Sequence, residues 1–98
     1  MPQSSPEARF SPLGDYLAHQ AAAGQYRVVL SFAQVEALLG RPLPPVVRRA
    51  RTPRGWWRND GTQPQAWYGW LRAGWFVADV SVATETVTFT RGDDAAGG

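Results

Sequence analysis

The chain has 98 residues, no cysteine, and ten cationic side chains that are all arginine, against eight acids. It is long enough for one small core, and its composition excludes disulfides, thiolate zinc sites, cysteine nucleophiles and every lysine-based chemistry. No apolar run approaches the ~18 residues of a membrane span, and the N-terminus lacks the basic and apolar regions of a signal peptide, so the expected compartment is the cytoplasm.

Residues 1–10 are polar, contain proline and show no periodicity, and they read as a flexible arm. Ser11 and Pro12 make a good N-cap and first-turn pair for a helix running to about Ala22, with Leu13, Tyr16 and Leu17 on one face and Gly24 at its end. His19, the only histidine, falls off that face and is expected at the surface. From Gln25 the period changes to two, which predicts a strand with Tyr26, Val28 and Leu30 inward. Ser31-Phe32-Ala33-Gln34 fits a capping box. It opens a short helix that buries Val35, Leu38 and Leu39, leaves Glu36 solvated and ends at Gly40 in the left-handed conformation.

Gly40 to Asp60 has a different character. It holds Arg41, Arg48, Arg49, Arg51, Arg54 and Arg58 with no acid before Asp60, together with the adjacent Trp56 and Trp57. Pro42, Pro44, Pro45 and Pro53 disfavour regular structure, so an ordered but irregular loop is expected, with a further strand near Trp56 to Arg58 as an option. Asn59-Asp60-Gly61 is a turn signal. Thr62 to Gln65 suggests another capping box, opening a helix that turns Trp67, Trp70 and Leu71 to the core and Tyr68 and Arg72 outward. After Gly74, residues 75–82 and 85–91 alternate and read as a hairpin joined by a tight Ala83-Thr84 connection, with Val87 and Phe89 inward. The last seven residues are acidic and glycine-rich. The fold class is therefore α+β, a small mainly antiparallel sheet of three or four strands on two or three helices. Residues 11–91 form the domain and residues 92–98 a disordered tail.

Several stretches together, Pro-Leu-Gly-Asp-Tyr-Leu (12–17), Leu-Ser-Phe-Ala-Gln-Val-Glu-Ala-Leu-Leu-Gly-Arg-Pro-Leu-Pro (30–44), Trp-Trp-Arg-Asn-Asp (56–60), Ala-Gly-Trp (73–75) and Val-Thr-Phe (87–89), resemble a small bacterial domain family of unknown function. The resemblance covers about residues 10–91. Where that pattern has a Ser-Ala pair after Leu-Pro-Pro, this chain has Val46-Val47. The resemblance implies a self-contained domain and carries no activity, cofactor or partner.

No catalytic constellation can be assembled. There is no Ser-His-Asp order, glycine-rich phosphate loop or paired-carboxylate motif, and Glu36, Asp60, Asp79 and Glu85 are scattered acids rather than a metal set. The expectation is a non-enzyme without cofactor or metal. The arginine loop points first to nucleic acid, DNA or RNA. Arg41, Arg48, Arg49, Arg51, Arg54 and Arg58 would contact phosphates, whichever of Trp56 and Trp57 faces outward would meet an unpaired base, and Asn59 completes the binding set. The alternative is a protein-interaction module. Tryptophan and arginine are enriched at binding hot spots, Leu43 to Val47 is an apolar stretch stiffened by proline, and an exposed hairpin edge at Glu85 to Arg91 would allow self-association. A membrane surface is not expected, and the oligomeric state is open. The two readings separate on salt, because only phosphate binding is governed by counterion release.

Overall fold

The structure is a computed structural model that describes residues 5–49 and 53–91. Residues 1–4, the proposed tail at 92–98 and the loop residues 50–52 lie outside it.

Helix α1 spans Pro6–Ala22, so residues 6–10 are helical and not part of an arm. The chain contains two Ser-Pro pairs, and the first one is the cap. The Ser5 hydroxyl accepts a hydrogen bond from the Ala8 amide at 3.1 Å, and Glu7 adds an acid to the first turn. Pro12 then sits inside the helix, where it removes a backbone donor. What carries the helix through it is burial, because Phe10, Leu13, Gly14 and Leu17 fall at successive one-turn spacings on the packed face.

Strand β1 (Arg27–Ser31) leads directly into α2 (Phe32–Leu39). The capping box is present as expected: Ser31 Oγ accepts from the Gln34 amide at 3.0 Å, and Gln34 Oε1 accepts from the Ser31 amide at 2.8 Å. Gly40 closes α2 at φ 73°, a conformation that favours glycine. The following segment is less irregular than its prolines suggest, since Pro45–Arg48 forms a 3-10 turn and Pro53–Trp56 a single helical turn, α3. No strand forms at Trp56 to Arg58.

Beyond it, Asp60 Oδ1 accepts from the Thr62 amide and hydroxyl at 3.0 and 2.7 Å. The predicted Thr62 box is therefore replaced by an aspartate turn, and Gln63 stands before α4 (Pro64–Ala66) without a side-chain cap. This helix continues as a π-turn over Trp67–Leu71, with the Arg72 amide reaching back five residues to the Trp67 carbonyl at 2.9 Å. Its packed face is Ala66, Gly69 and Trp70, which leaves Trp67 43% exposed and corrects its placement in the core.

Strands β2 (Trp75–Ser81) and β3 (Thr86–Arg91) complete an antiparallel sheet in the order β1-β3-β2. The α+β class read from the sequence is the observed one. The connection is the four-residue turn 82–85 rather than Ala83-Thr84, with Glu85 at φ 53°. β3 is the central strand, paired on both sides, so the expected free edge at Glu85 to Arg91 does not exist; β1 and β2 are the edges. A bulge between Val77 and Asp79 resets the alternation of β2. Trp75 and Val77 point inward before it and Val80 after it, while Phe76 is 43% exposed. Tyr26 precedes β1 and is exposed, so the inward residues of that strand are Val28 and Leu30.

The helices cover one face of the sheet, and the core between them is built on aromatic rings. Trp57 stacks on Phe32 at 5.7 Å between centroids and packs against Trp70 at 5.8 Å, and Trp70 meets Phe89 at 5.7 Å. All four rings are fully buried. α1 approaches the π-turn at Gly14 and Gly69, where a Cβ added to Gly14 would lie 2.7 Å from the Tyr68 carbonyl oxygen. That distance is a backbone clash, so Gly14→Ala is expected to lower stability by about 1 to 3 kcal/mol in urea unfolding, whereas Gly61→Ala, whose Cβ meets nothing closer than a Trp67 ring atom at 4.0 Å, should be near neutral. Trp70→Ala should cost about 3 to 5 kcal/mol, and a loss below about 1 kcal/mol would contradict its place at the centre of the core.

Candidate nucleic-acid interface

The loop after α2 is shaped by one carboxylate. Glu36 was expected to be solvated, but its Oε2 accepts from the Leu43 amide at 2.8 Å and from Arg48 Nη1 at 3.0 Å, and its Oε1 accepts from Arg48 Nη2 at 3.2 Å. The guanidinium also lies 3.3 Å, through Nε, from Glu85 Oε2 in the β2–β3 turn, and it covers the Phe32 ring at 5.6 Å. A bidentate arginine–carboxylate pair of this kind is directional and charge-assisted. The Arg48 hydrogen bonds first, and then the Leu43 amide, hold the Glu36 carboxyl below its usual range, and the same pair raises Arg48 further above its own. Leu43 and Val47 are buried beneath the loop and anchor it from below.

The nine residues singled out from the sequence therefore separate. Arg48 is committed to Glu36 and Glu85. Trp57 is fully buried and unable to stack on a base, while Trp56 is only partly buried and presents the outward-facing ring of the pair. Asn59 is spent on the fold. Its Oδ1 accepts from Trp70 Nε1 at 3.0 Å and from the Val77 amide at 2.9 Å, and its Nδ2 donates to the Val77 carbonyl at 3.0 Å, so the side chain pairs with the outer edge of β2 as a strand would. Arg41, Arg49 and Arg58 are exposed. Arg51 and the side chain of Arg54 lie outside the described residues.

Arg41 and Trp56 come together at a groove that sequence reasoning missed, because its other half comes from α1. Phe10 meets Trp56 edge-on at 6.2 Å, and Leu39 and Leu43 form the floor with Pro42 and Pro44 beside them. Arg9 and Arg41 stand at the rim, and the enclosed volume is about 160 Å³. The signal was present in the Phe10, Leu13, Gly14, Leu17 spacing and in Ser5-Pro6-Glu7, both hidden by the stronger-looking Ser11-Pro12. Among the described residues no three acids or histidines gather to hold a metal, and no helix is long and apolar enough to cross a membrane.

The Glu36 pair yields a pH-dependent prediction. Its carboxyl ionises more readily folded than unfolded, so its contribution is present at neutral pH and is lost as the pH falls through the lowered pKa. Glu36→Gln should lower stability at pH 7 by about 1 to 3 kcal/mol. The gap to wild type should begin to narrow as the pH falls through the ordinary carboxylate range and close only below the lowered pKa, as read by chemical denaturation followed by circular dichroism.

No curated protein and no solved structure matches the chain. The model of one family, described as a domain of unknown function (DUF7662), matches residues 10–92. That span takes in α1 from Phe10 onward, the Glu36-braced loop, both walls of the groove and all three strands, and the chain accordingly belongs to the DUF7662 family.

Proposed function

We propose that the domain binds single-stranded nucleic acid, with an unpaired base against Trp56 in the groove and the flanking phosphates on Arg41, Arg9, Arg49 and Arg58. The observation that carries this reading is the groove itself, an aromatic wall that is only partly buried beneath two rim arginines. Stacking on an aromatic face is tolerant of base identity, and arginine supplies a planar fork for phosphate oxygens. At about 160 Å³ the groove is smaller than the ~300–1,000 Å³ of sites that hold drug-sized ligands. It suits one ring system and not a base pair, which favours unpaired strands over duplex. Phosphate contacts of this kind position a strand without selecting its sequence.

Fluorescence anisotropy with labelled single-stranded and duplex oligonucleotides across a salt series tests the reading. Arg41→Ala should weaken single-strand binding alike for all sequences and reduce the salt slope by about one unit, with stability unchanged. Trp56→Leu keeps an apolar wall but removes the ring face. It should lose about 1 to 3 kcal/mol of binding with the slope intact. A wild-type domain that binds no oligonucleotide at low salt, where electrostatic reach is greatest, sinks the reading, and binding that ignores salt would redirect it to a protein partner.

A further inference from the structure

The second face of the sheet is covered by no element among the described residues. The side chains on it follow from the register, and the central one, Thr88, is buried between its neighbours. Arg27, Thr90 and Phe76 form one rung across the three strands, and Val29, Thr88 and Asp79 form the next. Val29 is 49% and Phe76 43% exposed, so the face is apolar along one diagonal. The other diagonal carries one cation, Arg27, and one anion, Asp79, and neither has an ion-pair or hydrogen-bond partner among the described residues. Asp79 is on this face because of the β2 bulge. Strict alternation from the buried Trp75 and Val77 would turn it into the core, and the extra residue at Ala78 turns it out and Val80 in.

This arrangement is self-complementary. Consider a two-fold axis lying in the plane of the face and running along the Val29–Phe76 diagonal. It sets Val29 against Val29 and Phe76 against Phe76 of a second copy. It also brings each of the other two corners to within about 4 Å of the other's position on the second copy, a gap the long Arg27 side chain spans, so each Arg27 meets the other copy's Asp79, as an isologous contact requires. With ordinary strand spacings the strands of the two sheets then cross at about 70°, close to the orthogonal class of sheet packing.

We propose that this face is a homodimer interface, with two reciprocal Arg27–Asp79 pairs flanking a Val29 and Phe76 centre. The occupant is a second copy rather than an unrelated protein because the face carries its own counter-charge at the position the two-fold demands. The face is only on the order of 300 Å² a side, below the ≈800 Å² per partner of stable complexes, so the dimer is weak and concentration-dependent. The nucleic-acid groove lies in the helical layer and stays open in both copies; the inference does not rest on the function proposed for it.

Sedimentation velocity and light scattering across a concentration series test the proposal. The wild-type mass should rise towards double between roughly 10 μM and 1 mM, the range of weak association. Arg27→Glu alone places acid against acid and Asp79→Arg alone places base against base, and each should leave a monomer throughout. The R27E/D79R double variant restores both pairs with reversed polarity and should recover the dimer. Phe76→Ser should abolish it without rescue. Circular dichroism on each variant confirms the fold, and all the substituted side chains are exposed. A wild type that stays monomeric at 1 mM overturns the proposal. So does a dimer that survives either single charge change, or one that the double variant fails to recover, since either would run through another surface.

Discussion

The carboxylate of Glu36 ties the end of α2 to Leu43 and Arg48, and the geometry of the groove beside it depends on that tie. The segment between α2 and α3 opens with three prolines, Pro42, Pro44 and Pro45, and has few backbone donors with which to hold itself. Here one side chain takes up the Leu43 amide and a guanidinium together, and the guanidinium reaches on to Glu85 and the face of Phe32. Three separate elements, α2, the 3-10 turn and the β2–β3 turn, are thereby locked at one point. Arg41 and the proline rim of the groove hang between that point and Gly40.

The core answers the same need from beneath. Trp57 is stacked on Phe32 and wedged against Trp70, which fixes where α3 ends and directs Trp56 to the groove. Asn59 then fastens the chain to β2 by three hydrogen bonds, one of them to the indole of Trp70. The run Trp-Trp-Arg-Asn is thus mostly a structural clasp. It leaves to solvent part of the Trp56 ring and the exposed Arg58. The basic character of the loop is smaller than its composition suggests, because one of its arginines is neutralised by two acids of the domain itself.

The two faces of the molecule differ in their chemistry. The helical layer presents arginine and aromatic rings around a small groove, a composition suited to phosphate and unpaired bases. The open sheet face carries threonines, a short apolar diagonal and one charge of each sign, a composition suited to a copy of itself. A weak dimer through that face would set two grooves on one particle, and linked sites raise apparent affinity for a strand long enough to span them.

Features with a purely local cause were legible in the sequence. The Ser31–Gln34 capping box, the left-handed Gly40, the alternation that buries Val28, Leu30, Val87 and Phe89, and the α+β order all follow from caps and periods within a few residues. The same holds for the separation of an arginine-rich segment from an otherwise acidic chain. Tertiary structure decided the cases where local signals were equal or silent. Ser5-Pro6 and Ser11-Pro12 are equivalent as caps, and tertiary contacts select the first, with Phe10 packed on Trp56 and Glu7 paired with Arg72. Trp56 and Trp57 are adjacent and alike, and the Phe32, Trp70 and Phe89 rings determine which is buried. Arg48 finds Glu36 12 residues away and Asn59 finds Val77 18 residues away. No period or cap encodes such partners, because they become neighbours only once the sheet and helices have closed around one core.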